Sequence, residues 1–152
     1  MTIIKATDAE LDMVVRIRVE LLKAVNHLSE DTVFGKDFID ATTDYFKNSH
    51  QTTVLTVDHG EAIGCATICY IHVMPTFDHP SGKRAHIMNV YTRGCYRRQG
   101  LAFEMMKILI EEATQKGVTE LSLDTTEAGR PLYEKCGFVA SQEGMVLCIK
   151  SR

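Results

Sequence analysis

The sequence predicts a mixed α/β domain whose central sheet holds one parallel β-α-β unit flanked by antiparallel strands. Three observations predict it. A β-rich run from Ala85 to Thr92 is followed by a basic turn and, from Leu101, by a run with Met105, Ile108, Leu109 and Glu112 at helical spacing. Val118 to Asp124 then alternates Leu121 and Leu123 against Ser122. A helix therefore joins two strands of one sheet, which requires them to be parallel. Upstream, Thr52 to Val57 and Glu61 to Met74 bracket the turn Asp58-His59-Gly60, the pattern of an antiparallel hairpin.

The remaining elements follow from local signals. Ile3 and Ile4 form a short edge strand, and Thr7-Asp8-Ala9-Glu10 is a capping box that opens a helix. Leu11, Val14, Val15, Leu21, Leu22 and Val25 give that helix an apolar stripe, broken by Arg18, and it ends near His27. Gly35 to Asn48 is a second helix, with Phe38, Ile39, Tyr45 and Phe46 as its buried side. Pro75 to Gly82 is turn chemistry throughout, and Gly117 stops the long helix. A short helix begins between Thr126 and Gly129, tolerates Pro131 in its first turn and stops before Gly137. Phe138 to Ala140 and Met145 to Ile149 are expected as the last two strands, turned at Gln142 to Gly144.

At 152 residues and 45% hydrophobic content, the chain has material for one core, and 1–152 is expected to be a single domain. A net charge of -3 gives no global basic surface, so Arg93, Arg97 and Arg98 are a local feature and nucleic acid is not an expected partner. No apolar run is long enough for a membrane span or a signal peptide, so no membrane partner is expected. Five cysteines, an odd number without a C-x-x-C pair, suggest a reduced, cytoplasmic protein. Cys65 and Cys69 read as small buried hydrophobes, and no spacing suggests a metal site.

The turn between the Ala85–Thr92 strand and the long helix places three arginines beside Gly94 and Gly100. Unpaired N–H groups and the positive dipole end at a helix N-terminus, opened by glycine and ringed by guanidinium groups, make a cradle for phosphate. The run contains neither a P-loop nor G-x-G-x-x-G. Arg97-x-x-Gly100-x-Ala102 is instead similar to the Arg/Gln-x-x-Gly-x-Gly/Ala signature of the GNAT family of acyl-CoA-dependent N-acetyltransferases. Downstream, Thr126-x-x-Gly129-Arg130-Pro131-Leu132-Tyr133-Glu134-Lys135-Cys136-Gly137-Phe138 resembles that family's closing segment. The two motifs cover the C-terminal part of the chain, and the N-terminal part matches only in the order of its elements.

The resemblance implies a GNAT-like fold and acetyl-CoA as co-substrate, with its pantetheine arm between two splayed central strands. The backbone of Val90, Tyr91 and Thr92 would bond the thioester carbonyl and pantetheine amides, with the Val90 N–H at the developing oxyanion. The N–H groups of Arg97, Arg98, Gln99, Gly100, Leu101 and Ala102 would hold the pyrophosphate, and Thr126 and Gly129 belong to the same cofactor site. Tyr133 falls on the family's tyrosine position, where its hydroxyl serves the leaving thiolate. Gly94 and Cys95 stand where many members have Pro and an acidic residue, which suggests a more flexible turn, and Thr126 replaces the frequent Asn or Ser.

The acceptor of the amine's proton stays open among His86, His72, Asp124 and Glu20. Cys95 lies near three arginines, but no motif places a histidine to act with it or with Cys136, which argues against covalent catalysis. The expected reaction is acetyl transfer to a primary amine of a small molecule or peptide, and the rival reading is a non-catalytic acyl-CoA-binding regulatory domain. Family members are often dimers, so a homodimer is an expectation of the resemblance.

Overall fold

In the computed structural model, which describes residues 1–150, the elements follow as β1 (Thr2–Lys5), α1 (Leu11–Val25), α2 (Lys36–Asn48), β2 (Gln51–Asp58), β3 (Glu61–His72), β4 (Lys83–Thr92), α3 (Leu101–Gln115), β5 (Glu120–Leu123) and α4 (Arg130–Lys135). The strands form one sheet in the order β1-β2-β3-β4-β5. The first three pairings are antiparallel, and β4 and β5 run parallel across α3, as the sequence predicts. No helix among the described residues is long and apolar enough to cross a membrane.

Local chemistry accounts for the entries and turns. Thr7 Oγ1 accepts from the Ala9 N–H at 3.2 Å and the Glu10 carboxylate accepts from the Thr7 N–H at 2.7 Å, so the capping box forms and leads into α1. In the β2–β3 turn His59 and Gly60 both have positive φ, 49° and 77°, the twist that suits a tight hairpin.

Both faces of the sheet are covered, so β2 is buried at four successive positions, Thr53 to Thr56. Val54, Ala66, Ile68 and Ile87 pack with Met105, Met106 and Leu109 of α3 on one face. Leu55, Ala62 and Cys65 pack with Val14, Ile17 and Leu21 of α1 on the other, where Phe46 of α2 joins them. Ile17 is thus a core residue that the expected stripe omitted, while Val25 is exposed at the helix end. Phe38 is also exposed rather than buried, and its ring lies 5.2 Å from Phe34 instead of in the core.

The main departure from regularity is in β4. Thr67 pairs with Met88 and Cys65 with Tyr91, so β4 carries one residue more than β3 between these pairs. Asn89 sits in this bulge with φ 62°, a left-handed conformation that asparagine tolerates better than most residues. It is buried, and its side chain is held from two sides: Arg18 Nη1 donates to Oδ1 at 3.3 Å, and Nδ2 donates to Thr67 Oγ1 at 3.1 Å. The Cys65 thiol donates to the Asn89 carbonyl at 3.0 Å.

The expected last two strands do not form. Residues 139–150 contain no strand and no turn, and Val139, Met145, Val146, Leu147 and Ile149 are exposed. A strand needs an edge to pair with, and apolar content alone does not supply one. The chain leaves the domain after Phe138, whose N–H still reaches the Tyr133 carbonyl at 3.0 Å.

Asn89→Ala is expected to lower the unfolding free energy by about 1–3 kcal/mol, from left-handed strain and the loss of two buried partners. Urea denaturation measures this, and an unchanged midpoint would show that Asn89 does not hold the bulge.

Candidate functional site

The bulge lies where β4 loses its second neighbour. β5 pairs with β4 only from Arg84 to Ile87, so Val90, Tyr91 and Thr92 lie beyond its last partner. Tyr91 and Thr92 remain paired to Cys65 and Gly64 of β3. The end of β4 is therefore a free edge inside the sheet, bounded by β3 on one side only. Such an edge offers backbone N–H and C=O groups to an extended partner. Thr92 Oγ1 adds an orphaned group here, being buried without a hydrogen-bond partner among the described residues.

Past this edge the loop is tied down rather than loose. Arg93 is clamped between two carboxylates: its Nε lies 3.0 and 3.1 Å from the Glu20 oxygens, and Nη1 lies 3.1 Å from Glu61. Gly94–Tyr96 makes a 3-10 turn, from which the Tyr96 hydroxyl donates to Asp58 at 2.8 Å. Arg97 Nε donates to the Thr92 carbonyl at 2.9 Å. The flexibility that Gly94 and Cys95 suggest is countered by these side-chain anchors, which a short motif does not reveal.

Two arginines of this loop are thus free of carboxylates. Arg97 and Arg98 are exposed, and neither makes an ion pair among the described residues. Arg98 and Gly100 both have positive φ, 63° and 77°, and Gly100 is the N-cap of α3. A Cβ at Gly100 would meet nothing within 4 Å, so the space before the helix is open. Gln99 is exposed, and Leu101 and Ala102 are half-buried as the first helical residues. A positive helix end, two unpaired guanidinium groups and open space fit a phosphate-bearing ligand.

Thr126, Gly129 and Tyr133 form a second group at the start of α4. Thr126 Oγ1 accepts from the Gly129 N–H at 3.3 Å. A Cβ at Gly129 would lie 2.9 Å from Thr125 Oγ1 and 3.3 Å from the Tyr133 ring, so glycine lets that ring sit against the turn. Tyr133 is half-buried and packs edge-on to Phe138, centroids 6.2 Å apart. Burial raises its hydroxyl above the ordinary tyrosine range, and Cys136 adds to the shift. Tyr133 is a protonated donor at neutral pH. Val90 and Tyr133 pack against the same core cluster under α3.

The structure gives the candidate proton acceptors different surroundings. Glu20 is engaged by Arg93, and exposed His72 has Nε2 3.2 Å from the Ser81 carbonyl. His86 Nδ1 lies 2.7 Å from Ser122 Oγ, with its Nε2 3.7 Å from the exposed Asp124 carboxylate. Burial pushes the Cys65 thiol up to about 12 and raises Cys136 as well, which keeps both as thiols and weakens them as nucleophiles.

One residue at the bulge was missed as a functional candidate. Arg18 of α1 is half-buried and makes no ion pair among the described residues; its hydrogen bond is to Asn89, next to Val90. Burial lowers its pKa, while Cys65 and Cys69 act the other way. The available signal was its position as the break in an apolar stripe.

Comparisons with known proteins bear on the family and the fold. The family model described as Acetyltransferase (GNAT) family matches residues 20–138. A glucosamine 6-phosphate N-acetyltransferase of Trypanosoma brucei brucei is 32% identical over 88 residues, 58% of this chain and 58% of that protein. A probable glucosamine 6-phosphate N-acetyltransferase 2 of Oryza sativa subsp. japonica is 33% identical over 84 residues, 55% of this chain and 49% of that one. The matches thus span only about half the length of these curated relatives. The crystal structure of a predicted acetyltransferase of Clostridium acetobutylicum with acetyl-CoA superposes with a TM-score of 0.85 at 26% identity, covering 97% of this chain and 95% of the other.

Gly100→Ala is expected to cost about 1 kcal/mol of stability through its positive φ alone, because the added methyl meets no atom. Gly94→Ala, with open space and no positive φ, serves as the control in urea denaturation. Equal midpoints for the two variants would remove the conformational argument at Gly100.

Proposed function

Because the chain belongs to the GNAT acetyltransferase family, which its match over residues 20–138 shows, we propose that it is an enzyme transferring an acetyl group from acetyl-CoA to a primary amine by direct attack on the thioester. The observation that carries this reading is the parting of β4 from β5 beside the glycine-capped start of α3. When bound, acetyl-CoA supplies a thioester carbonyl open to a neutral amine. The free edge at Val90, Tyr91 and Thr92 suits the pantetheine amides, and the Val90 N–H is the proposed donor to the carbonyl oxygen. The N–H groups of Arg97, Arg98, Gln99, Gly100, Leu101 and Ala102 are proposed to hold the pyrophosphate, with Thr126 and Gly129 bordering the thiol end. Tyr133, kept protonated by burial, donates to the departing sulfur.

The acceptor is proposed to be an amine that also carries an anionic group, as an amino sugar phosphate does. The names of the two curated relatives support this, and so does Arg18. A half-buried guanidinium whose hydrogen bond is to a neutral amide gains further from an anion beside it. A single domain in a reduced, cytoplasmic setting is proposed on the five free cysteines. Neither nucleic acid nor a membrane is a proposed partner; a second copy of the chain is.

Tyr133→Phe is expected to reduce turnover about 10–100-fold while leaving the Kd for acetyl-CoA nearly unchanged, measured by thiol release and isothermal titration. Equal turnover in the two proteins would remove Tyr133 from the chemistry, and absence of acetyl-CoA binding to the parent protein would remove the cradle. Arg18→Gln is expected to raise KM for glucosamine 6-phosphate about tenfold or more and leave KM for glucosamine little changed. A parallel change for both amines would argue against an anion at Arg18.

A further inference from the structure

Arg18 touches one end of a line of polar side chains that runs through the protein interior. Its Nη1 donates to Asn89 Oδ1 at 3.3 Å, Asn89 Nδ2 donates to Thr67 Oγ1 at 3.1 Å, and Thr67 Oγ1 lies 2.8 Å from Thr53 Oγ1. Thr53 Oγ1 donates to Gln51 Oε1 at 2.7 Å, and Gln51 Nε2 donates to the Phe46 carbonyl at 2.9 Å. Thr53 and Thr67 are 2% and 1% exposed. The line therefore crosses β4, β3 and β2 and joins α1 to α2.

Its two ends give it one direction. A guanidinium only donates, so Asn89 must turn its oxygen to Arg18 and its NH2 to Thr67. A carbonyl only accepts, so Gln51 must turn its NH2 to Phe46 and its oxygen to Thr53. Each hydroxyl has one proton: that of Thr53 goes to Gln51, and that of Thr67 goes to Thr53. Both ends impose the same polarity, and neither amide can flip without leaving a buried group unpaired. Thr56 of the same strand is equally buried, yet its hydroxyl has no partner among the described residues, so burial in β2 does not by itself create such bonds.

What meets Arg18 is an oxygen of fixed orientation, polarised by the line behind it and carrying no net charge. It holds the guanidinium in place and leaves the positive charge uncancelled, which a carboxylate would not do. We propose that Thr67 is a positioning residue for acceptor choice: through Asn89 it aims Arg18 at an anionic group on the amine, with Thr53 and Gln51 locking the direction. This role rests on the anion-bearing acceptor proposed above.

The ratio of KM for glucosamine 6-phosphate to KM for glucosamine, from thiol release, isolates the anion. Thr67→Val keeps the shape without the hydroxyl and is expected to raise that ratio about 3–10-fold. Thr67→Ser, which keeps the hydroxyl, is expected to restore it. In an Arg18→Gln background Thr67→Val is expected to add nothing, because the two act as one unit. Loss of folded protein would lower kcat for both amines and leave the ratio alone. Thr53→Val keeps the Asn89–Thr67 bond and breaks the next, so it is expected to raise the ratio by less; it serves if Thr67→Val does not fold. If Arg18→Gln raises the ratio and neither valine variant does, the role of Thr67 is overturned and the acceptor reading stands. A Thr67→Val effect that persists in the Arg18→Gln background overturns it too. If Arg18→Gln leaves the ratio unchanged, the acceptor reading falls and this role falls with it.

Discussion

The structure depends on one extra residue in β4. Inserting Asn89 between the pairs Thr67–Met88 and Cys65–Tyr91 forces a left-handed step in the strand. β4 pairs with β5 only as far as Ile87, just before that step, while β3 continues to hold the strand from the other side. The free edge at Val90 to Thr92 begins beside it. The bulge is itself held by side chains from two directions, Arg18 from α1 and Thr67 from β3. A regular ladder to the end of β4 would leave no gap for an extended ligand.

Charge is sorted around that gap by pairing. Arg93 is neutralised by Glu20 and Glu61 and so serves to fix the loop against α1 and the start of β3. Arg97 and Arg98, a few residues further, have no carboxylate partner among the described residues and stand at the positive end of α3. Arg18, half-buried on α1, makes no ion pair among the described residues and donates to Asn89. Three arginines close together in sequence therefore divide into one that is paired and two that make no ion pair among the described residues, and a fourth from far away comes to the bulge only in three dimensions.

Much of this was legible in the sequence, and what was not has physical reasons. The hairpin at Asp58-His59-Gly60, the capping box at Thr7 and the parallel crossover through α3 rest on local rules, and local chemistry decides them. Gly100 could be assigned to a helix start because the motif and the cap coincide. The Asn89 bulge was not legible, because asparagine in a β-rich run signals neither a register shift nor its partners. The loss of the last two strands had a different cause. Val139 and the Met145–Ile149 run have strand composition, but pairing is a property of the edge that receives them, which lies outside those residues. Phe38 failed for a similar reason, finding Phe34 on the surface in place of the core.

The two-sided core gives the sheet a further property. α3 and its phosphate-suited end belong to one face, and α1 with Arg18 belongs to the other. The sheet is a partition between two compartments, with the parting of β4 and β5 as its aperture. Groups approaching that aperture from the α3 side and from the α1 side would pass different cores and would not obstruct one another.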